Sequence, residues 1–162
     1  MISENVFLVD HDSHNNLASI GARFIAFFID CAIVYTTSAV ASSLFLQQFV
    51  DYSVPFSIDT ILQLLEGYLW SLLFYNLWFV AYFSIFTAVC SQTVGKIILQ
   101  IKVVDEKNQP LTFGSALIRT LGYYLSAIPF FIGFFLSLTG TKRQALHDRI
   151  SGSIVITESE TS

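Results

Sequence analysis

The chain has 162 residues, of which 54% are hydrophobic and only 12% charged. A soluble domain carries about twice that charged share, so the composition, with a mean hydropathy of +0.63, points to one compact unit embedded in a lipid bilayer. The net charge of −4 leaves no basic stripe to neutralise phosphates, and no nucleic-acid partner is expected.

Residues 1–18 read as an exposed polar arm, without the basic and apolar regions of a signal peptide. Asp10, His11, Asp12 and His14 are ligand types, but on such an arm they read as solvated. Neither a metal nor a cofactor is expected.

The first apolar span runs from Ala22 to Leu46, long enough to cross a bilayer, which takes roughly 20 apolar residues. Arg23 stands at its mouth and Asp30 within it. Seven residues apart, they share one helix face about 10 Å apart along the axis. An aspartate inside a span costs about 2.5–3.5 kcal/mol on insertion scales and is rarely left in lipid. The Arg23–Asp30 stripe must therefore face protein or water.

Residues 47–66 contain no Lys or Arg, and Thr60-Ile61-Leu62-Gln63 has the spacing of a capping box, so a helix is expected to begin near there. It continues into a second span, Tyr68 to Val89, free of charged residues. Cys31 and Cys90, in or beside the two spans, read as small buried hydrophobes rather than a disulfide. Gly95 is expected to end the second helix in a left-handed conformation.

Residues 99–105 alternate well enough for a short strand, and Glu106-Lys107-Asn108-Gln109-Pro110 supplies turn residues. Ser153-Ile154-Val155-Ile156-Thr157 is a second β-branched run, able to pair with the first if both lie on one side of the membrane. Between them, residues 113–139 form a third apolar region with Arg119 near its start, Pro129 in its middle and Gly133 soon after. Proline breaks or kinks a helix, which a membrane tolerates where protein or water satisfies the freed backbone groups.

Positive charge marks the cytoplasmic side of short loops. The connection at 47–66 then lies outside, and Lys96, Lys102 and Lys107 put the next one inside, as they do the amino terminus. Lys142, Arg143 and Arg149 draw the tail inside too. One ordinary crossing by residues 113–139 cannot satisfy both ends, and they are too few for two. The region therefore reads as a kinked or re-entrant hairpin returning to the cytoplasmic side, where the strand pair would form. The alternative is a plain third crossing with a basic tail outside.

Three stretches in this order carry a family likeness. The first is Leu17-Ala18-Ser19-Ile20-Gly21-Ala22-Arg23-Phe24-Ile25-Ala26-Phe27-Phe28-Ile29-Asp30. The second begins Gln92-Thr93-Val94-Gly95-Lys96 and runs to Asp105, followed by Pro110-Leu111-Thr112-Phe113-Gly114. The third is Arg143-Gln144-Ala145-Leu146-His147-Asp148-Arg149-Ile150-Ser151-Gly152-Ser153. Together the chain resembles the RDD family of small, mostly bacterial membrane proteins, over residues 17–156. The family takes its name from one arginine and two aspartates, which fall here on Arg23, Asp30 and Asp148. The resemblance implies a bacterial inner-membrane protein with a membrane domain at 19–157 and a short polar tail at 158–162. It also implies either transport of ions or ligands, with sodium–proton exchange proposed for some members, or a part in a larger membrane assembly.

The polar residues allow both readings. Asp30 could carry a proton or sodium ion, or form a fixed pair with Arg149, Arg143 or Arg119. His147 and Asp148 could relay protons, or form a salt-bridge cluster that Arg23 completes, with Arg23 and Asp148 within about 15 Å on one side of the membrane. No nucleophile elbow, zinc-spaced set or dinucleotide fingerprint is present in the sequence, and enzyme activity is not expected. The expected partners are the bilayer and either a second copy of the chain or another membrane protein. A transporter so small would need to oligomerise.

Overall fold

The computed structural model describes residues 17–47, 57–127 and 143–158. Asp10, His11, Asp12 and His14 of the arm, and Pro129 and Gly133 of the third apolar region, lie outside the described residues, so the expected hairpin is not among the features below.

The first span folds as helix α1, Ile20–Leu46, about 40 Å long at 1.5 Å per residue. Its buried positions are Ala26, Asp30, Val34 and Ser38, an i, i+4 ladder along one face. The stripe predicted from Arg23 and Asp30 thus faces protein, while Ile25, Phe28, Tyr35, Val40 and Leu44 stay exposed.

Helix α2, Ile58–Cys90, starts earlier than the expected capping box. Ser57, in extended conformation, is its N-cap and accepts from the Thr60 N–H, so the hydroxyl that matters lies three residues before the one the spacing suggested. The helix ends at Ser91, which takes the left-handed conformation expected of Gly95. Every described residue of α2 before Phe79 is exposed or half-buried. Cys90, at its end, is exposed and Cys31 half-buried, both as free thiols, so only Cys31 approaches the expected burial. Among the described residues two helices are long and apolar enough to cross a membrane, and with this much uncovered apolar surface they point to a membrane protein rather than a soluble core.

A short helix α3, Val94–Ile98, leads into strand β1, Ile101–Asp105. The Asp105 carboxylate then accepts the N–H groups of Lys107 and Gln109, each at 2.8 Å, which closes the expected turn. Helix α4, Phe113–Ala127, is amphipathic, burying Ala116, Arg119, Thr120, Tyr123 and Ser126. It is followed in the described chain by α5, Leu146–Ser151, and β2, Ser153–Thr157. Gly152 turns α5 into β2 with φ of 64°, a conformation glycine adopts without strain. The strands pair antiparallel, with Val103 opposite Val155.

Two apolar clusters flank the middle of α1. Ala18, Ala26, Ile101, Val103, Leu111 and Val155 pack on the sheet side. Val34, Phe79, Tyr82, Phe83 and Tyr123 form an aromatic cluster on the other. Asp30 sits on the α1 ladder between Ala26 and Val34, hence between the clusters.

Candidate functional site

Asp30 is fully buried, and three donors converge on it. The Tyr82 hydroxyl and the Gly95 N–H donate to Oδ1 at 2.8 and 2.7 Å, and the Thr93 hydroxyl donates to Oδ2. An ionised carboxylate only accepts, and donors from α2 and from the start of α3 satisfy this one. The predicted partners are elsewhere. Arg149 and Arg143 are exposed, and Arg119 is committed to Asp148.

The N–H contact explains why position 95 is glycine. A Cβ there would lie 2.3 Å from the Ala26 carbonyl oxygen and 3.0 Å from the Asp30 carboxyl carbon. Gly95 therefore allows α3 to approach α1, a role its expected place at a helix end did not suggest. The sequence reading assigned no contact to Tyr82 or Thr93 and used Lys96 only as a charge that sets topology. The available signal was a hydroxyl, a glycine and a lysine in close succession after a span, opposite a buried acid.

Asp148 gathers the basic residues. Arg119 Nη2 lies 2.8 Å from Oδ1, His147 Nε2 3.4 Å from Oδ1, and Arg23 Nη1 3.6 Å from Oδ2. The Ala145 N–H donates to Oδ2 at 3.0 Å, which anchors the first turn of α5. Arg23 also donates to the carbonyls of Arg143 at 2.6 Å and Val155 at 2.9 Å, joining α1 to the segment before α5 and to β2. Arg119 donates to the Ser153 hydroxyl at 2.6 Å. The RDD trio is thus divided. Arg23 and Asp148 meet, well inside the expected separation, while Asp30 occupies its own pocket.

Burial pushes the Asp148 carboxyl up, but Arg119, then His147 and Arg23, outweigh it and hold the group below the ordinary carboxylate range. Burial pulls His147 down to about 3, against the opposing pull of Asp148, so the imidazole is neutral at physiological pH. Its Nδ1 lies 3.2 Å from the Ser126 hydroxyl. Lys96 is buried as well, its Nζ without a hydrogen-bond partner among the described residues. Burial, reinforced by Arg119, lowers it to about 7, while Asp30 and Asp148 pull the other way.

The neutral His147 gives a signed expectation. A histidine depressed on folding contributes stability that is complete above its unfolded value, 6.5, and is lost as pH falls toward about 3. Asp148 acts in the same sense at the acid end. The thermal midpoint in detergent should therefore fall between about pH 7 and pH 4, and a midpoint constant over that window would contradict a buried neutral imidazole.

Comparison with known proteins agrees with this arrangement of motifs. The family model described as "RDD family" matches residues 17–152. The uncharacterized protein YxaI of Bacillus subtilis is 33% identical over 141 residues, covering 83% of this chain and 93% of that protein. The proline-rich antigen homolog of Mycobacterium tuberculosis is 38% identical over 65 residues, 40% of this chain but only 27% of its own length. The uncharacterized protein RP437 of Rickettsia prowazekii is 38% identical over 78 residues, 47% of this chain and 42% of that protein. No solved structure matches. With the family model matched from the residue before Ala18 through the α5–β2 turn, the chain belongs to the RDD family.

Proposed function

We propose that this chain is a non-catalytic membrane module, an accessory or scaffold subunit that assembles with a second copy of itself or with another membrane protein. The observation that carries the reading is the saturation of Asp30. A carboxylate that cycles sodium or protons needs a path to water and a ligand shell that can open. Asp30 is wholly buried under three donors and is not among the described residues that line the cavity beside Arg23, Lys96 and Arg119. The uncovered stretch of α2 before Phe79, with Leu62, Leu65, Leu69, Leu73 and Leu77 exposed, supplies apolar surface for lipid or a partner helix. By the positive-inside argument the strand pair and the Asp148 cluster face the cytoplasm. The bacterial relatives fit an inner-membrane location. The competing reading, a small sodium–proton exchanger, rests on Asp30 as an intramembrane carboxylate.

Proteoliposomes separate the two. The expected result is no sodium or proton flux from folded protein, with Asp30→Asn reducing abundance or complex size. Flux that disappears in Asp30→Asn at unchanged oligomer size would overturn the scaffold reading.

A further inference from the structure

Three basic side chains from three elements line one cavity of about 50 Å³: Arg23 from α1, Lys96 from α3 and Arg119 from α4. The one carboxylate among its described lining residues is Asp148, and His147 there is neutral. Three cations against one carboxylate leave an excess of two positive charges when Lys96 is protonated.

The donors are not all used. Arg23 and Arg119 spend their terminal nitrogens on Asp148, Ser153 and backbone carbonyls. Arg23 Nε, Arg119 Nε and Lys96 Nζ are each buried without a hydrogen-bond partner among the described residues. A buried donor left unmade costs about 1–3 kcal/mol, more when charged, so three around one cavity call for a shared acceptor. Asp148 already takes two arginines and the Ala145 N–H, its Oδ1 lying 2.8 Å from Arg119 Nη2 but without a hydrogen-bond partner among the described residues, and Asp30 is saturated. Among the described residues, then, three unmet donors face one unmet acceptor, Asp148 Oδ1, and positive charge is in excess.

We propose that this cavity is a binding site for one phosphate-type oxyanion, held by Lys96 together with Arg23 and Arg119. Guanidinium groups suit oxyanions geometrically, and an ammonium adds a point charge. The excess of two charges suits a phosphate group. A space of about 50 Å³ holds only a few waters or one small ion, while Phe24 and Phe83 on the wall leave little room for a polar body behind it. The phosphate could be free or the headgroup of an anionic phospholipid. The inference stands independently of the scaffold reading, since an assembly subunit and an exchanger could each carry such a site.

The test is the thermal midpoint of the detergent-purified full chain. It is read with inorganic phosphate, with short-chain phosphatidic acid, and with chloride at matched ionic strength, because a ligand of the folded state raises the midpoint. The expected result is a rise with phosphate or phosphatidic acid and none with chloride. In Lys96→Met the apparent affinity should be weaker by roughly tenfold or more, with the ligand-free midpoint equal to or above the native one, whereas Lys96→Arg should retain binding. A rise with inorganic phosphate identifies a free anion, and one confined to phosphatidic acid identifies a headgroup. Equal effects of chloride and phosphate, no rise with either phosphate source, or full binding by Lys96→Met would overturn the proposal. Should Lys96→Met fail to fold, Lys96→Gln takes its place, and the native protein's response still decides whether a site exists.

Discussion

Asp30→Ala is expected to destroy the folded, monodisperse protein, whereas Asp30→Asn should keep it with a modest loss. Alanine leaves the Tyr82 hydroxyl, the Thr93 hydroxyl and the Gly95 N–H without their common acceptor in a buried pocket. At about 1–3 kcal/mol for each abandoned buried group, the combined penalty approaches the 5–15 kcal/mol total of a typical domain. Asparagine keeps one carbonyl oxygen for Tyr82 and Gly95 and turns its amide toward Thr93, whose hydroxyl can accept as well as donate. That exchange should cost roughly 1–2 kcal/mol. Thermal unfolding followed by size-exclusion chromatography in mild detergent reads the difference. Equal survival of native protein and Asp30→Ala would show that α3 is held to α1 by packing alone. An Asp30→Asn protein as damaged as Asp30→Ala would show that the negative charge, rather than the acceptor geometry, is required.

The contrast also explains what the sequence could and could not reveal. An acid within an apolar span is conspicuous, and its need for protein or water follows from elementary solvation. The natural guess was a cation, and three arginines were available. The actual solution is two hydroxyls and a backbone N–H, and no side-chain pattern announces an N–H. Gly95 was misread for a related reason: a glycine after a long helix fits a left-handed cap, but Ser91 takes that conformation and Gly95 provides the close approach instead. Arg23 and Asp148 were brought together correctly because charge bias placed both on one side, an argument about topology rather than contact. Residues 153–157 were legible as a strand because Ile154, Val155, Ile156 and Thr157 form a run of β-branched residues. Lys96 was counted only as a topological charge, since nothing in its neighbours shows that α3 folds back against α1 and buries it.

Asp148→Ala should be the more damaging change to the second cluster, and a double substitution should partly repair it. Asp148 and Arg119 are 1% and 3% exposed, so their attraction is little screened by solvent or salt. Removing the carboxylate leaves the buried Arg119 and half-buried Arg23 beside Lys96 with no acid among the described residues of the cluster. Breaking one side of such a pair typically costs about 3–5 kcal/mol. Asp148→Ala also removes the acceptor of the Ala145 N–H at the start of α5. Arg119→Met alone should cost less, because Asp148 keeps Arg23 and Ala145. In Arg119→Met/Asp148→Ala one stranded cation is gone, so the loss should be smaller than the sum of the two single losses by about 1–3 kcal/mol. Thermal or denaturant unfolding of the four proteins closes the cycle. Strict additivity would mean that the 2.8 Å contact contributes no coupling, and that Asp148 acts mainly through Arg23 and the α5 backbone. Coupling that persists undiminished in high salt would place the pair in the buried core joining α4 to α5, where a charge pair fixes how helices sit against one another.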